Sequence, residues 1–220
     1  MRIGSCEGIS VAKINVLYFL EDRAQEGFVK ALVARVAGEV NIPGEELAHD
    51  VRSARHGSKV VKEFRQFLKY APGMLFQGPI LLVVAIDGNC SGYGEKVRQL
   101  ENYVRPNHPF KGKVAYAIPD PHIERWYMMD QAAFKEGISL DKAPDMPPYK
   151  CHKNYYKLLL NATLKEGGIN SVLGGAEYAE RIVSRMRRLD ALSQHDPGFG
   201  HFVADLRGKF RTIAREGTGH

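Results

Sequence analysis

A chain of 220 residues that is 44% hydrophobic and 25% charged is long enough to bury one real core, with room for a small helical annex. Lys and Arg number 31 against 25 for Asp and Glu, and the resulting +6, with histidines neutral, permits a polyanionic partner without demanding one. The absence of a membrane-length apolar run, of an export signal and of any Cys-x-x-Cys pair among Cys6, Cys90 and Cys151 argues against membrane, disulfide-framework and structural-zinc classes and leads us to expect a reducing cytoplasm.

Ile14–Leu20 (INVLYFL) is a short run of β-formers and reads as a buried strand. From Asp22 the period becomes helical, with Phe28, Leu32, Val33 and Val36 recurring to about Glu39. Asn-Ile-Pro-Gly at 41–44 breaks the helix, and residues 46–54 read as a weaker strand. Ser58 precedes Val60, Val61, Phe64, Phe67 and Leu68 and is expected to cap an amphipathic helix. Residues 80–86 form the strongest strand, and their unbroken apolar run suits a strand covered on both faces. A helix is expected over 93–104, a loop over 106–111 and a strand over 114–118, stopped by Pro119 and Pro121. Residues 122–131 then read as a helix whose apolar face includes Ile123, Trp126, Tyr127 and Met128, with Trp126 in the core. Pro144 and Pro148 bound a linker, and helical stretches follow at 154–165, 175–189 and 199–215. Strands alternating with helices indicate βαβ crossovers and an α/β fold with a parallel sheet flanked by helices. The expected organisation is an α/β domain over 10–145 with a C-terminal helical extension over 146–216 packed on it.

Acids gather where strands end. Glu21 and Asp22 follow the first strand, Asp87 and Asn89 the strand at 80–86, and Asp120 and Glu124 the last. In a doubly wound sheet, ligands bind outside these carboxyl ends, and Mg²⁺ favours a few carboxylate oxygens there while keeping its waters for substrate phosphates. Each acid also has a plainer explanation. Asp22 with Gln25 matches a capping box, Asp87-Gly88 is a turn dipeptide, and Glu124 suits the positive start of a helix.

Taken in order, these residues resemble the TOPRIM (topoisomerase–primase) family, in particular a bacterial branch of unknown function related to defence-associated TOPRIM nucleases. That branch runs Glu-Gly-x-Thr-Glu-x-x-Phe after its first strand. Here Glu21 and Phe28 match it, while the Gly, Thr and second Glu are replaced. The family's Asp-x-Asp reads Asp87-Gly88-Asn89, and its Glu-x-Trp followed by Asp reads Glu124-Arg125-Trp126 with Asp130. A last block, Ser193 with Phe199-Gly200-His201-Phe202, is similar to the family's final helix, so the resemblance extends over most of residues 14–210. It implies an Mg²⁺- or Mn²⁺-dependent nuclease acting on DNA, RNA or tRNA in bacterial anti-phage defence, with a partner ATPase or other defence subunit. It implies that Glu21 is a general acid/base or metal ligand and Asp87 a metal ligand, with Glu124 supporting and Asn89 contributing a neutral amide oxygen. The alternative is a catalytically degenerate TOPRIM-like scaffold or binding subunit, for which the Asn at position 89 and the lost Gly after Glu21 are the best signs.

Other motifs fall short. Gly57-Ser58-Lys59 has the wrong order for a P-loop, Gly88, Gly92 and Gly94 miss the dinucleotide spacing, and the histidines lack the His-x-x-x-His spacing of a zinc helix. There is no Gly-x-Ser-x-Gly elbow, and Cys151-His152 reads as a surface pair.

Overall fold

Apolar runs too short for helices and too continuous for exposed strands can be buried only in the middle of a sheet, and that is where they lie. The computed structural model describes residues 13–74, 78–152 and 154–217. Its four strands are β1 (Ile14–Leu20), β2 (Leu47–Ser53), β3 (Ile80–Ala85) and β4 (Val114–Ala117), all parallel, in the order β2-β1-β3-β4. β1 and β3 are central neighbours, paired from Asn15 with Ile80 to Leu20 with Ala85. β2 is an outer strand and the most polar of the four, with His49, Asp50 and Arg52 along it.

The period of two divides the strand residues between two apolar layers. Val16, Tyr18, Leu20, Leu81, Val83 and Ala85 face one layer with α1 (Arg23–Glu39). Leu17, Phe19, Leu82, Val84 and Ile86 face the other with α2 (Val60–Tyr70) and α3 (Gly92–Glu101). The chain winds from β1 outward to β2 in one direction and through β3 to β4 in the other. The reversal falls between β1 and β3, which makes their carboxyl ends the crevice of the fold.

After β4 come α4 (Ile123–Met129), α5 (Gln131–Ile138), α6 (Tyr155–Glu166), α7 (Ala179–Arg185), α8 (Leu189–Leu192) and α9 (Pro197–Gly217). They complete the first layer. Trp126 is fully buried, edge-on to Phe199 at 5.3 Å and stacked with Phe202 at 6.2 Å, so α4 and α9 share one core with Phe28 of α1.

Local chemistry redraws several expected boundaries. Ser58 does not cap α2; residues 57–59 form a 3-10 turn, and Glu63 reaches back from α2 to accept the Arg55 and His56 N–H groups. The expected helix over 122–131 breaks at Asp130, whose side chain accepts from the Ala133 N–H and starts α5, an element the sequence pattern did not reveal. The stretch 175–189 likewise breaks at Met186, where ψ swings to 126°.

The cysteines overturn an expectation. Cys90 and Cys151 form a disulfide with Cα atoms 5.6 Å apart, because the fold carries the loop after β3 beside the segment that follows the proline linker, 61 residues on. Cys6 and the segment read for an export signal lie outside the described residues. No helix among the described residues is long and apolar enough to cross a membrane.

Candidate functional site

At the end of β1 the chain turns through Asp22, which is extended and accepts the Gln25 N–H at 3.2 Å, opening α1. The turn leaves Glu21 at the mouth of the crevice and sends Gln25 inward. Gln25 is fully buried, its Oε1 accepting the Glu21 N–H at 3.0 Å and its Nε2 donating to Asp87 Oδ1 at 2.9 Å. The reciprocal bond of a capping box is thus shifted by one residue, from the cap to Glu21.

Asp87, two residues past the end of β3 at Ala85, is buried at 4% exposure. Its second carboxylate oxygen takes a 3.0 Å bond from His122 Nδ1, and its own N–H donates to Glu21 Oε2 at 2.8 Å. Side chains and backbone therefore clasp the ends of β1 and β3. The following loop is tied to the end of β4 through Gly88 N–H to the Pro119 carbonyl and Asn89 N–H to the Pro121 carbonyl. Gly88 admits no side chain, because a Cβ there would collide with the Asp120 carboxylate. Asp120 in turn accepts the Cys90 N–H at 2.8 Å and the Tyr149 hydroxyl at 2.7 Å.

Glu21 and Asp87 are thus brought together. Glu124, on the first turn of α4, is buried but bonds to neither; its Oε1 lies 3.8 Å from Lys157 Nζ, and its Oε2 has no hydrogen-bond partner among the described residues. Asn89 adopts a left-handed backbone (φ 49°), and its Nδ2 donates to the Asp87 carbonyl at 3.3 Å.

The acids oppose one another. Burial, then the Asp87 charge, pushes the Glu21 carboxyl up to about 7. Burial and Asp87 also raise Asp22, while burial raises Glu124 against the pull of Lys157. The hydrogen bond to Asp87 raises His122 against its burial. Such a cluster favours whatever brings positive charge or a proton.

No group of three or more His, Cys, Asp or Glu among the described residues is arranged to hold a metal by itself. The donors present nevertheless fit a hard divalent ion, which takes one or two carboxylates and retains its waters. Glu21 Oε1 accepts no hydrogen bond among the described residues, and Glu124 Oε2 is a buried oxygen without a partner. Sequence reasoning missed Gln25, His122 and Lys157 as members of the site. His122 carried a signal, since it follows the same strand end as Asp120; Gln25 and Lys157 carried none beyond their helices. Comparison with protein-family models, with curated proteins and with solved structures finds no match for this chain.

Proposed function

We propose that the protein is an Mg²⁺- or Mn²⁺-dependent nuclease of the TOPRIM type, hydrolysing phosphodiester bonds in DNA or RNA in anti-phage defence, alongside a partner ATPase or other defence subunit. One observation carries this reading: Glu21 and Asp87 stand at the carboxyl ends of adjacent parallel strands, at the point where the winding reverses. Glu21 and Asp87 would hold the ion with Glu124 behind them, and when bound it would supply charge neutralisation at the phosphate and an activated water. With no ion bound, the Glu21 carboxyl exchanges a proton near neutral pH, so Oε1 serves either as a general acid/base or as a ligand of the ion. Asp87 accepts from His122 Nδ1, which orients the ring and leaves Nε2 to exchange a proton with a phosphate or leaving oxygen.

The test is cleavage of single- and double-stranded DNA, RNA and tRNA with Mg²⁺, Mn²⁺ or chelator, with calorimetric titration of the metal. Glu21→Gln is expected to lower the rate by about 100-fold or more while the protein stays folded, the scale of one acid/base group. Protein that binds neither metal and cuts none of these substrates, even beside its partner, would falsify the nuclease reading.

A second reading, a degenerate scaffold subunit of the same type, is favoured by Asn89, which brings a neutral amide where the type has a second carboxylate and whose Nδ2 donates to the Asp87 carbonyl. Asn89→Asp separates the two. In a working site the added carboxylate tightens metal binding; in a scaffold it adds repulsion beside Asp87 and brings no cleavage.

A further inference from the structure

The charges on a second cleft, between α4–α5, α7–α8 and the segment at 146–149, do not balance. The cleft holds about 810 Å³, and its walls include Arg125, Arg185, Arg187, Arg188, His195 and Tyr149. Its two acids are already engaged. Glu136 pairs with Arg187 at 3.2 Å, and Asp130 accepts the Ala133 N–H at the start of α5. Arg185 and Arg188 are exposed, and neither side chain has an acidic partner among the described residues. Arg125 is buried at 8% exposure, paired with Asp196 and donating to the His195 carbonyl at 2.8 Å, yet its Nε has no acceptor.

Tyr149 is held at its hydroxyl and over one part of its ring, and the rest of the residue is open. Its hydroxyl is fixed on Asp120 at 2.7 Å, the Arg125 guanidinium lies 5.2 Å from its ring centre, and 49% of the residue is exposed. An immobilised aromatic ring beside unpaired guanidinium groups is what a nucleic-acid strand requires: a face for a base, and planar donors for successive phosphates. The cleft also adjoins the carboxylate site. Asp120, which holds Tyr149, holds the Cys90 N–H in the loop of Asp87, and Arg125 follows Glu124 on α4.

We propose that this cleft binds a single-stranded nucleic acid, with Arg185 and Arg188 on its phosphates and Tyr149 stacked on a base. The assignment rests on the nuclease reading for its purpose and names the form in which the substrate is held. A duplex would leave Tyr149 idle, because its bases are already stacked.

The experiment is fluorescence anisotropy of a labelled, mixed-sequence single-stranded oligonucleotide, in chelator so that nothing is cut, over a range of salt. Arg185→Gln with Arg188→Gln is expected to weaken binding at least tenfold and to reduce the log–log salt slope by about 1.4, two contacts at about 0.7 each. Lys62→Gln with Lys69→Gln removes the same charge from α2, on the other face of the sheet, and should leave the slope unchanged. Tyr149→Leu should weaken binding several-fold, and Tyr149→Phe, which keeps the ring and loses only its tether to Asp120, should weaken it less. Equal losses in both double variants would mean diffuse attraction and overturn the cleft. Pyrophosphate bound by the wild type but not by the arginine variant, with no binding of the oligonucleotide, would overturn the strand in favour of a small phosphate ligand. Retained binding with no cleavage in metal counts against the nuclease reading alone, and unaltered binding in the arginine variant counts against the cleft alone.

Discussion

Glu21 is opposed by its surroundings from two directions, the apolar strand ends beneath it and the Asp87 charge beside it. Its carboxyl rises from the ordinary 4.5 to about 7, so between those values the folded protein holds a proton that the unfolded chain releases. The stability this contributes is complete below about 4.5 and lost as the pH climbs through about 7. Glu21→Gln, which keeps an acceptor and cannot ionise, should therefore make the metal-free protein more stable than wild type at pH 8. The gain should be on the order of 1–2 kcal/mol, discounted because the group is only half-buried, and it should vanish toward pH 5. Denaturant unfolding in chelator at both pH values measures it, and equal differences at both would remove the electrostatic account. Glu21 and Asp87 were legible in the sequence because an acid after an apolar run marks a strand end. Gln25 was not: its partner lies 62 positions away, and only the pairing of β1 with β3 turns a helix-start glutamine into the clasp between two carboxylates.

Helices pack by the residues that let them approach, and α5 meets α7 through Gly137. A Cβ there would stand 2.8 Å from the Ile182 Cα and from its Cγ1, a clash with backbone that no rotamer relieves. Gly137→Ala is expected to destabilise by about 1–3 kcal/mol, overpacking outweighing the gain in helix propensity. Gly208→Ala on the exposed face of α9, where nothing lies within 4 Å of the added carbon, should instead stabilise by up to about 1 kcal/mol. Thermal unfolding of the two variants should move in opposite directions. β1, β3 and β4 lie close to where the apolar pattern puts them, since burial on both faces leaves an unbroken run, while α1 was legible from its helical spacing and the polar β2 only as a weaker strand. The breaks at Asp130 and Met186 were hidden because each interrupts a stretch whose helical spacing of apolar residues continues on both sides. What stops the helix is a side chain bonding the Ala133 N–H in one case and a single backbone angle in the other.

Over the whole molecule, the Cys90–Cys151 bridge closes a loop that contains β4, α4 and α5, and with them Asp120, His122 and Glu124. Closing a loop of this length stabilises a fold by about 2–4 kcal/mol. Reductant should lower the melting temperature accordingly, with intact mass reporting the state of the bond; an unchanged melting temperature on full reduction would count against a stabilising bridge. The pairing was illegible because Cys-x-x-Cys spacing reports only short loops, whereas this one depends on where the sheet delivers two distant segments. The outer strand β2 carries a different consequence. Among the described residues no strand pairs with its outer edge, a template for a strand from another molecule, but His49, Asp50 and Arg52 stand along it. An incoming apolar strand would have to lie against the charges of Asp50 and Arg52, so the edge discourages the copy-on-copy sheet growth that leads to aggregates, and among the described residues the sheet ends at β2.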